Sequence, residues 1–572
     1  MRQQMMVRLL AGAVAAACAG PVAAFTFDNG TVSGDFNSSI TLGVGVRAKA
    51  PPCGTVIGTV GAVASPATGP GAPDGCLDAL SMYNDQGNLN YGKGDPFTTY
   101  LKGTHELFLK MPNDWKFFGR INWLEDFSAT HATGIISGGN FDGGSGAPGT
   151  SFPGDSKSQL DFKARLLDLW VSKQFDLNGQ QARIRVGNQV ISWGESLFLP
   201  GGINQTNAMD IMRLSQPGTQ LKEVFLPAPI ASFATGLGHG LNVEAYVQTD
   251  WNKNYFSPVG GYWSMATMSN GADAYGAFTT PTNSEPKNSG QFGVALHYQP
   301  PSIQANFGLY YMRYHDKAPV LTVNPSNPFP IGYSYLEDRT LYGVSTNFPL
   351  GDWAIGAELS YRPKDPVSLN ALVSNNVDGS PCLVGGNCYV AQKKYQAAVT
   401  ALLSMTPGDY GGILKALGGA DTATLMAEAV VVRYPDLQSS YQGVPVAAGY
   451  WGWGALNAND SMFTSGTNPS VGDKNSWGYN FDFSWTYDGS LIPGWQVTPE
   501  IYYFQAVKGR TPNAMALFME GAKSANFIVT FTQNPAKWVL GVNYAKFWGG
   551  SSVLDQPLEG RDFYGAYLTR NF

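Results

Sequence analysis

Apolar and polar residues alternate along many separate stretches of this 572-residue chain. From Trp353 to Arg362 the apolar side chains fall on odd positions, and Glu358, Ser360 and Arg362 fall on even ones. Residues 477–485 repeat the pattern with aromatic side chains on the odd positions. Because successive side chains of a β-strand point to opposite faces, a period of two predicts strands with one apolar face.

Aromatic residues recur at the ends of these stretches, which is typical of the interfacial girdles of membrane barrels. Residues 392–432 are rich in alanine; we predict two strands around a Gly-rich connection there, although the composition suits a helix equally well. The other predicted strands cover residues 40–47, 115–123, 182–189, 241–250, 291–298, 303–314, 353–362, 477–485, 495–503, 525–531 and 538–548.

The connections between these stretches fall into two lengths. Residues 112–114 and 532–536 are short and read as periplasmic turns, whereas 48–95, 129–158 and 252–289 read as extracellular loops. Strand period, aromatic ends and unequal connections together predict an all-β fold: a transmembrane antiparallel outer-membrane β-barrel of roughly 14–18 strands with long extracellular loops. A soluble β-sandwich also alternates, but it does not explain these other features.

Composition agrees with a barrel. Charged residues make up 14% of the chain, against about 25% in typical soluble proteins. The mean hydropathy of -0.13 excludes a helical-bundle membrane protein but suits strands that are apolar on one face only. The formal net charge of -6 argues against nucleic acid as a partner.

Both ends of the chain favour export to the Gram-negative outer membrane. Residues 1–24 have the basic start, apolar middle and small-residue end of a cleaved signal peptide, which leaves residues 25–572 as one barrel domain. A lipoprotein signal ending at Cys18 is an alternative, but the residues before it lack the usual Leu. Residues 561–572 alternate and close on Phe572, the usual export and assembly mark of outer-membrane barrels. Outer-membrane lipid, lipopolysaccharide and the barrel assembly machinery are therefore expected partners.

Four cysteines follow the predicted signal peptide. They form two sequence-local pairs, Cys53 with Cys76 and Cys382 with Cys388, inside Gly/Pro-rich segments. An oxidising compartment favours two loop disulfides. Other pairings remain open, and a metal site is the rival reading, although neither pair has CxxC spacing.

The least strand-like stretch runs from Ile191 to Glu223 and is punctuated by Gly and Pro. Its backbone is too irregular to face lipid, because unpaired N–H and C=O groups need water or protein partners. It is either an extracellular loop or a segment folded into the lumen. In the second case it would constrict a channel, and the candidate solute-contacting residues are Arg185, Gln189, Trp193, Glu195, Asn204 and Asp210.

Several blocks resemble one known family. Trp193-Gly-Glu-Ser196, the following Gly-Gly-Ile-Asn204, Glu358–Pro366 and the closing Arg561-Asp-Phe563 are similar to the family catalogued as domain of unknown function 1302. The resemblance implies a proteobacterial outer-membrane barrel, often encoded near a periplasmic lipoprotein-like protein and an inner-membrane exporter. Genes for steroid- or lipid-like compounds also occur nearby. It therefore implies transport of hydrophobic or amphipathic small molecules, with those two proteins as partners.

Catalytic and metal-binding motifs are not evident. The five histidines make no HExxH motif, and Tyr314-His315-Asp316 has no accompanying nucleophile motif. We therefore predict no enzyme, cofactor or metal site. Two functions compete with solute transport: a surface adhesion or structural barrel working through its disulfide-bearing loops, and a general hydrophilic porin.

Polar faces of the predicted strands carry charges of both signs. In a water-filled lumen such residues either pair across the wall and stiffen the barrel or tune selectivity. The residues concerned are Lys102, Glu106, Lys110, Lys116, Arg120, Arg183, Arg185, Glu244, Glu358 and Arg362.

Overall fold

The computed structural model describes most of the chain that follows the predicted signal peptide. Residues 1–24 and the Cys53 and Cys76 positions lie outside the described part, so the predicted signal peptide and the first disulfide remain predictions. The described residues are 25–50, 65–66, 77–78, 87, 90–129, 160–214, 216–257, 261–263, 284–324, 327–370, 373–447, 471–513, 517–551, 555–556 and 558–572.

The chain forms a closed antiparallel β-barrel of 18 strands. Each strand pairs with the next along the chain, and the last pairs with the first in the register Val44 with Ala566. The predicted fold is confirmed, at the upper end of the predicted strand number. The strands are β1 (Ser33–Arg47), β2 (Pro96–Met111), β3 (Trp115–Asp126), β4 (Lys163–Leu177), β5 (Gln180–Gln189), β6 (Ala228–Gly238), β7 (Leu241–Gln248), β8 (Gln291–Tyr298), β9 (Asn306–Tyr314), β10 (Arg339–Leu350), β11 (Trp353–Ser368), β12 (Tyr389–Met405), β13 (Thr422–Arg433), β14 (Asn475–Ile492), β15 (Trp495–Lys508), β16 (Ala522–Gln533), β17 (Trp538–Gly549) and β18 (Phe563–Asn571).

Smaller elements accompany the barrel. A strand at Phe25–Asp28 pairs with the start of β1. The described helices are α1 (Ile211–Leu214), α2 (Leu221–Val224), α3 (Pro407–Ala416) and a 3-10 turn at Ile203–Thr206. Two-stranded ladders join Ser65–Pro66 to Leu77–Asp78, Ala208–Met209 to Phe225–Leu226, Val320–Asn324 to Asn327–Ser334 and Ser440–Tyr441 to Val444–Pro445.

Alternation along each strand separates an apolar outside from a polar inside. On β5, Ile184 and Val186 are exposed on the outer wall, and Arg185 between them points inward. On β10, Tyr342 and Val344 are exposed while Ser345 is buried. A sheet with this pattern closes without free edges and presents its apolar side to lipid.

The two ends of the barrel differ in their connections, as predicted. Residues 112–114 join β2 to β3, and 534–537 join β16 to β17, at the short-turn end. The predicted loops 48–95, 129–158 and 252–289 all leave the opposite end, the long-loop end, although large parts of them lie outside the described residues.

Residues 392–432 contain both structures that their composition suits. The two predicted strands are confirmed as β12 and β13, and α3 lies between them at the short-turn end. Pro407 fits the first turn of this helix because that position needs no backbone N–H partner. No helix in the described part of the chain has the length and apolar character needed to cross a membrane.

The second predicted disulfide is present. Cys382 and Cys388 are bonded, with a Cα–Cα distance of 5.0 Å, in the loop between β11 and β12. Both cysteines are buried within that loop.

Candidate functional site

The connection from β5 to β6 runs through the inside of the barrel. Its residues contact Glu358 on β11 and Glu428 on β13, and they also contact Lys102 on β2. β2 lies across the ring from β11 and β13, so a chain that reaches all three strands must cross the lumen. We call residues 191–224 the inward segment. Of the two placements that the sequence allowed, the structure shows the inward one.

The tip of the inward segment is held by the carboxylate of Glu358. Its Oε2 accepts hydrogen bonds from the backbone N–H groups of Glu195 at 2.7 Å and Ser196 at 3.1 Å. Its Oε1 accepts from the N–H of Ile203 at 3.1 Å. A buried carboxylate needs such partners, and bonds to an ionised acceptor are about twice as strong as neutral ones. Glu358 therefore fixes both ends of the turn.

Glu428 on β13 does the same for the next residues. Its carboxylate accepts from the N–H groups of Phe198 at 2.8 Å and Leu199 at 3.0 Å. The Ser196 hydroxyl donates to the same group. The two wall carboxylates thus bind the backbone of the tip, largely independently of its side chains.

Glycines let the tip approach Glu358 this closely. A Cβ at Gly202 would lie 1.9 Å from Glu358 Oε1, and one at Gly194 would lie 2.4 Å from Oε2. Gly194 also has a φ of +91°, a conformation that other residues rarely adopt. Docking against the wall therefore explains the glycines at positions 194 and 202, in the two blocks that resemble the family.

Trp193 anchors the descending part of the segment. Its indole N–H donates to Glu244 Oε2 on β7 at 3.0 Å, and its ring packs against Tyr246 and Tyr310. Buried Trp side chains normally need a partner for this N–H. The aromatic contacts and the hydrogen bond together fix where the segment enters the lumen.

The returning part is held by ion pairs to the opposite wall. Glu223 pairs with Lys102 at 2.5 Å and accepts from the Thr104 hydroxyl at 2.9 Å. Asp210 is fully buried and contacts both Arg165 on β4 and Arg213 of the segment. Burial lowers the pKa of Arg213, and the nearby carboxylate of Asp210 opposes that shift.

Two of the predicted site residues lie on β5, and a third lies in the inward segment. Arg185 lies with its guanidinium 4.0 Å from the Trp170 ring centroid. Gln189 is buried and donates to the carbonyl of Ile230 at 2.9 Å. Asn204 lies in the 3-10 turn of the inward segment.

The other predicted residues differ in their exposure and in their contacts. Glu195 is partly exposed at the tip, where it accepts a hydrogen bond from Asn347 at 2.9 Å. Trp193 and Asp210 are buried in the contacts given above. The segment thus brings Trp193, Glu195, Asn204 and Asp210 into the lumen, while Arg185 and Gln189 lie on β5. Solute contact by these six residues stays a prediction.

Some charges predicted on the strand faces do pair along the wall. Arg120 contacts Glu106 at 2.8 Å and Asp168 at 2.6 Å. Glu106 also binds Lys222 of the inward segment at 2.7 Å. The wall charges therefore stiffen the barrel and, in addition, hold the segment.

Sequence reasoning missed the roles of Glu428, Lys102 and Arg165. Glu358 had been identified only as one luminal charge among ten. The one available signal was the pair of Gly-containing blocks, because glycine often marks a site where another group approaches the backbone closely. Nothing in the sequence indicates which wall carboxylate makes that approach.

Three leucines of the inward segment have exposed side chains. Leu197, Leu214 and Leu221 are 45%, 52% and 57% exposed. Phe198 follows Leu197 in sequence and contacts the Tyr502 ring on β15, with centroids 5.8 Å apart. An aqueous constriction that keeps leucines exposed offers apolar surface to a solute.

Comparison with known proteins finds a family. The family model described as protein of unknown function DUF1302 matches residues 5–572, essentially the whole chain. No curated protein matches the sequence.

Solved structures give weaker likenesses. Acinetobacter baumannii OccAB1 is similar with 12% identity and a TM-score of 0.41, covering 94% of this chain and 96% of that one. Pseudomonas aeruginosa OpdK with vanillate has 11% identity and a TM-score of 0.37, covering 94% and 98%. A BenF-like porin from Pseudomonas fluorescens Pf-5 has 10% identity and a TM-score of 0.39, with the same coverage. At this level of likeness, the vanillate bound to OpdK says nothing about this chain.

Proposed function

The chain belongs to the family described as protein of unknown function DUF1302, and on that premise we propose that it is an outer-membrane channel for hydrophobic or amphipathic small molecules. The closed barrel with an apolar exterior supports the membrane location. The inward segment supports a narrowed path through the lumen rather than a wide pore.

The observation that carries the proposal is the exposure of Leu197, Leu214 and Leu221 on the inward segment. Each fully buried leucine side chain is worth about 1.5–3 kcal/mol relative to exposure. Leaving three of them in water therefore sacrifices stability, unless a passing solute covers them in turn. An apolar solute gains from that contact, whereas a sugar or an inorganic ion does not.

The test is flux of matched dyes through purified protein in liposomes. Wild type should admit the apolar dye N-phenylnaphthylamine, and the triple variant Leu197→Ser, Leu214→Ser, Leu221→Ser should admit it several-fold more slowly. Ion conductance of the variant in planar bilayers should be retained. Leu491→Ser is the matched control, because Leu491 is 57% exposed at the short-turn end of β14.

Other outcomes point to the competing functions. Large steady conductance with equal dye flux in wild type and triple variant would identify a hydrophilic porin. A folded barrel with neither conductance nor flux would favour an adhesion or structural role for the long loops.

The direction of transport and its partners form a finer proposal. Resemblance to the family supports coupling to a periplasmic lipoprotein-like protein and an inner-membrane exporter. Such partners should contact the short-turn end, where α3 and the turns lie. Cross-linking from Lys415 of α3 in intact cells should capture a periplasmic protein, and capture from the long-loop end alone would contradict the coupling.

A further inference from the structure

We propose that the lumen holds a binding site for a single carboxylate group, centred on the ammonium of Lys394. The site is a recess between the inward segment at Pro200–Gly201 and the wall strands β11 and β12. The inference deepens the proposed channel function, because it names an acidic head group for the amphipathic solute.

Lys394 is buried but unpaired. Its side chain is 3% exposed, yet in the part of the chain that the structure describes its Nζ makes no hydrogen bond or ion pair. Buried lysines are almost always paired, because an isolated buried charge is costly. The other buried lysine of the wall, Lys102, follows that rule through its 2.5 Å contact with Glu223.

The neighbours of Lys394 make the binding of an anion beside it more favourable. Lys394 lies directly opposite Arg362 in the ladder between β11 and β12. Like charges opposite each other on one face of a sheet destabilise the pair. A negative group placed between wall and segment would remove both costs at once.

The carboxylate nearest to these cations is already engaged. Asp365 Oδ1 lies 2.7 Å from the guanidinium of Arg362. Its Oδ2 accepts hydrogen bonds from the Tyr434 hydroxyl at 2.6 Å and from Asn513 at 3.4 Å. The guanidinium of Arg362 also donates to the carbonyl of Gly201. Arg362 and Asp365 therefore neutralise each other. Asp316 also lines the recess, and its carboxylate lies 3.7 Å from Arg339, which balances its charge. One positive charge is then left over on Lys394.

The recess has the size and lining for a carboxylate with an apolar body. Open space beside Lys394 admits a group of a few non-hydrogen atoms, and Pro200, Pro319 and Leu517 line it as well. The buried oxygens Asp316 Oδ2 and Asn513 Oδ1 have no hydrogen-bond partner. The Asp316 carboxylate repels any anion, but its repulsion is about twice as large for a dianion as for a monoanion, so a monocarboxylate fits better than a phosphate.

Calorimetry on the purified full-length barrel in detergent tests the site. The probes are butyrate, octanoate, butyramide and inorganic phosphate. Wild type should bind butyrate and, more tightly, octanoate, whereas butyramide and phosphate should not bind. Lys394→Met should weaken butyrate binding roughly 10- to 100-fold, as expected for loss of a charge-assisted hydrogen bond.

Lys393→Met is the matched control. Lys393 is the adjacent residue on the outer face of β12, 54% exposed and 3.0 Å from Asp436, and its loss changes the net charge equally. This variant should bind butyrate as wild type does. Equal weakening in both variants would show a general charge effect and would overturn the site.

Two further measurements keep the outcome decisive. Lys394→Arg preserves the charge and should keep binding within a few-fold, which guards against a misfolded Met variant. If wild type binds no carboxylate, or binds phosphate or butyramide as well as butyrate, the proposal is wrong. Bilayer conductance is measured separately, so loss of the site and failure of the channel function give different results.

Discussion

The two halves of the inward segment are attached to the barrel by opposite means. Beyond the Trp193 anchor, residues 195–203 present backbone N–H groups to carboxylates of the wall, Glu358 and Glu428. Residues 206–224 present their own charged side chains, chiefly Asp210 and Glu223, to cations of the wall. The tip therefore depends on its glycines and on two distant acids, whereas the return depends on its own charged residues.

Because of this difference, the place of the tip in the lumen does not depend on which side chains the tip carries. A tip bound through its backbone can change its side chains, including those that face a solute, without losing its place. The returning part, residues 206–224, is bound through its side chains, so it cannot change them without losing its contacts with the wall. Variation in solute contacts is thus expected near the tip, and the exposed Leu197 lies there.

The largest effect should come from removing both tip acids. In Glu358→Ala, Glu428→Ala the N–H groups of Glu195, Phe198 and Leu199 lose charged acceptors. Each such bond contributes about 1.5–3 kcal/mol, so tip opening should become easier by on the order of 5 kcal/mol. Hydrogen exchange of residues 194–203 should accelerate strongly, and single-channel conductance should rise.

A luminal acid that does not bind the tip provides the control. Glu500 lies on β15 and makes no hydrogen bond to the inward segment among the described residues. Glu500→Ala should leave exchange at 194–203 unchanged. Similar acceleration in this variant would mean that general luminal charge, rather than the two acids, holds the tip.

Removing an ion pair of the returning part should destabilise the protein somewhat less. Glu223→Ala leaves the Lys102 ammonium buried without its partner, which costs about 3–5 kcal/mol. Thermal unfolding in detergent should shift down accordingly, and exchange should accelerate at 206–224 rather than at the tip. Glu285→Ala removes an exposed pair with Lys253 and should cost less than about 1 kcal/mol.

The barrel was predictable because its signal is local and repeated. Alternation at 353–362 and 477–485 follows from one strand and needs no knowledge of its neighbours. The exact strand number was less accessible, since β4, β6 and β10 were not among the strands predicted from alternation.

The site was predictable only in part. Irregular backbone at 191–223 is a local signal, so a segment unable to face lipid could be identified. Its partners are not local: Glu358 and Glu428 lie more than 150 residues further along the chain. Lys394 is hidden for a similar reason, because Pro200 and Gly201, which line its recess, lie far from it in sequence.

A single methyl group added at Gly202 should measurably weaken the docking of the tip against the wall. In Gly202→Ala the added Cβ would lie 1.9 Å from Glu358 Oε1, so the carboxylate or the turn must move. Overpacking of this kind costs about 1–3 kcal/mol. Exchange at Glu195 and Ile203 should accelerate without a change at 206–224. Gly412→Ala in α3 meets open space and should be neutral or slightly stabilising.

The smallest effect should come from the side chain of Glu195 itself. Its carboxylate accepts one hydrogen bond, from Asn347 at 2.9 Å, while its backbone N–H is the group that Glu358 holds. Glu195→Gln keeps an acceptor for Asn347, so tip stability should change by less than about 1 kcal/mol. Exchange at 194–203 should match wild type within a few-fold. A loss as large as that of the double acid variant would show that the tip, like the return, is held by its own side chains, and the contrast between the two halves would disappear.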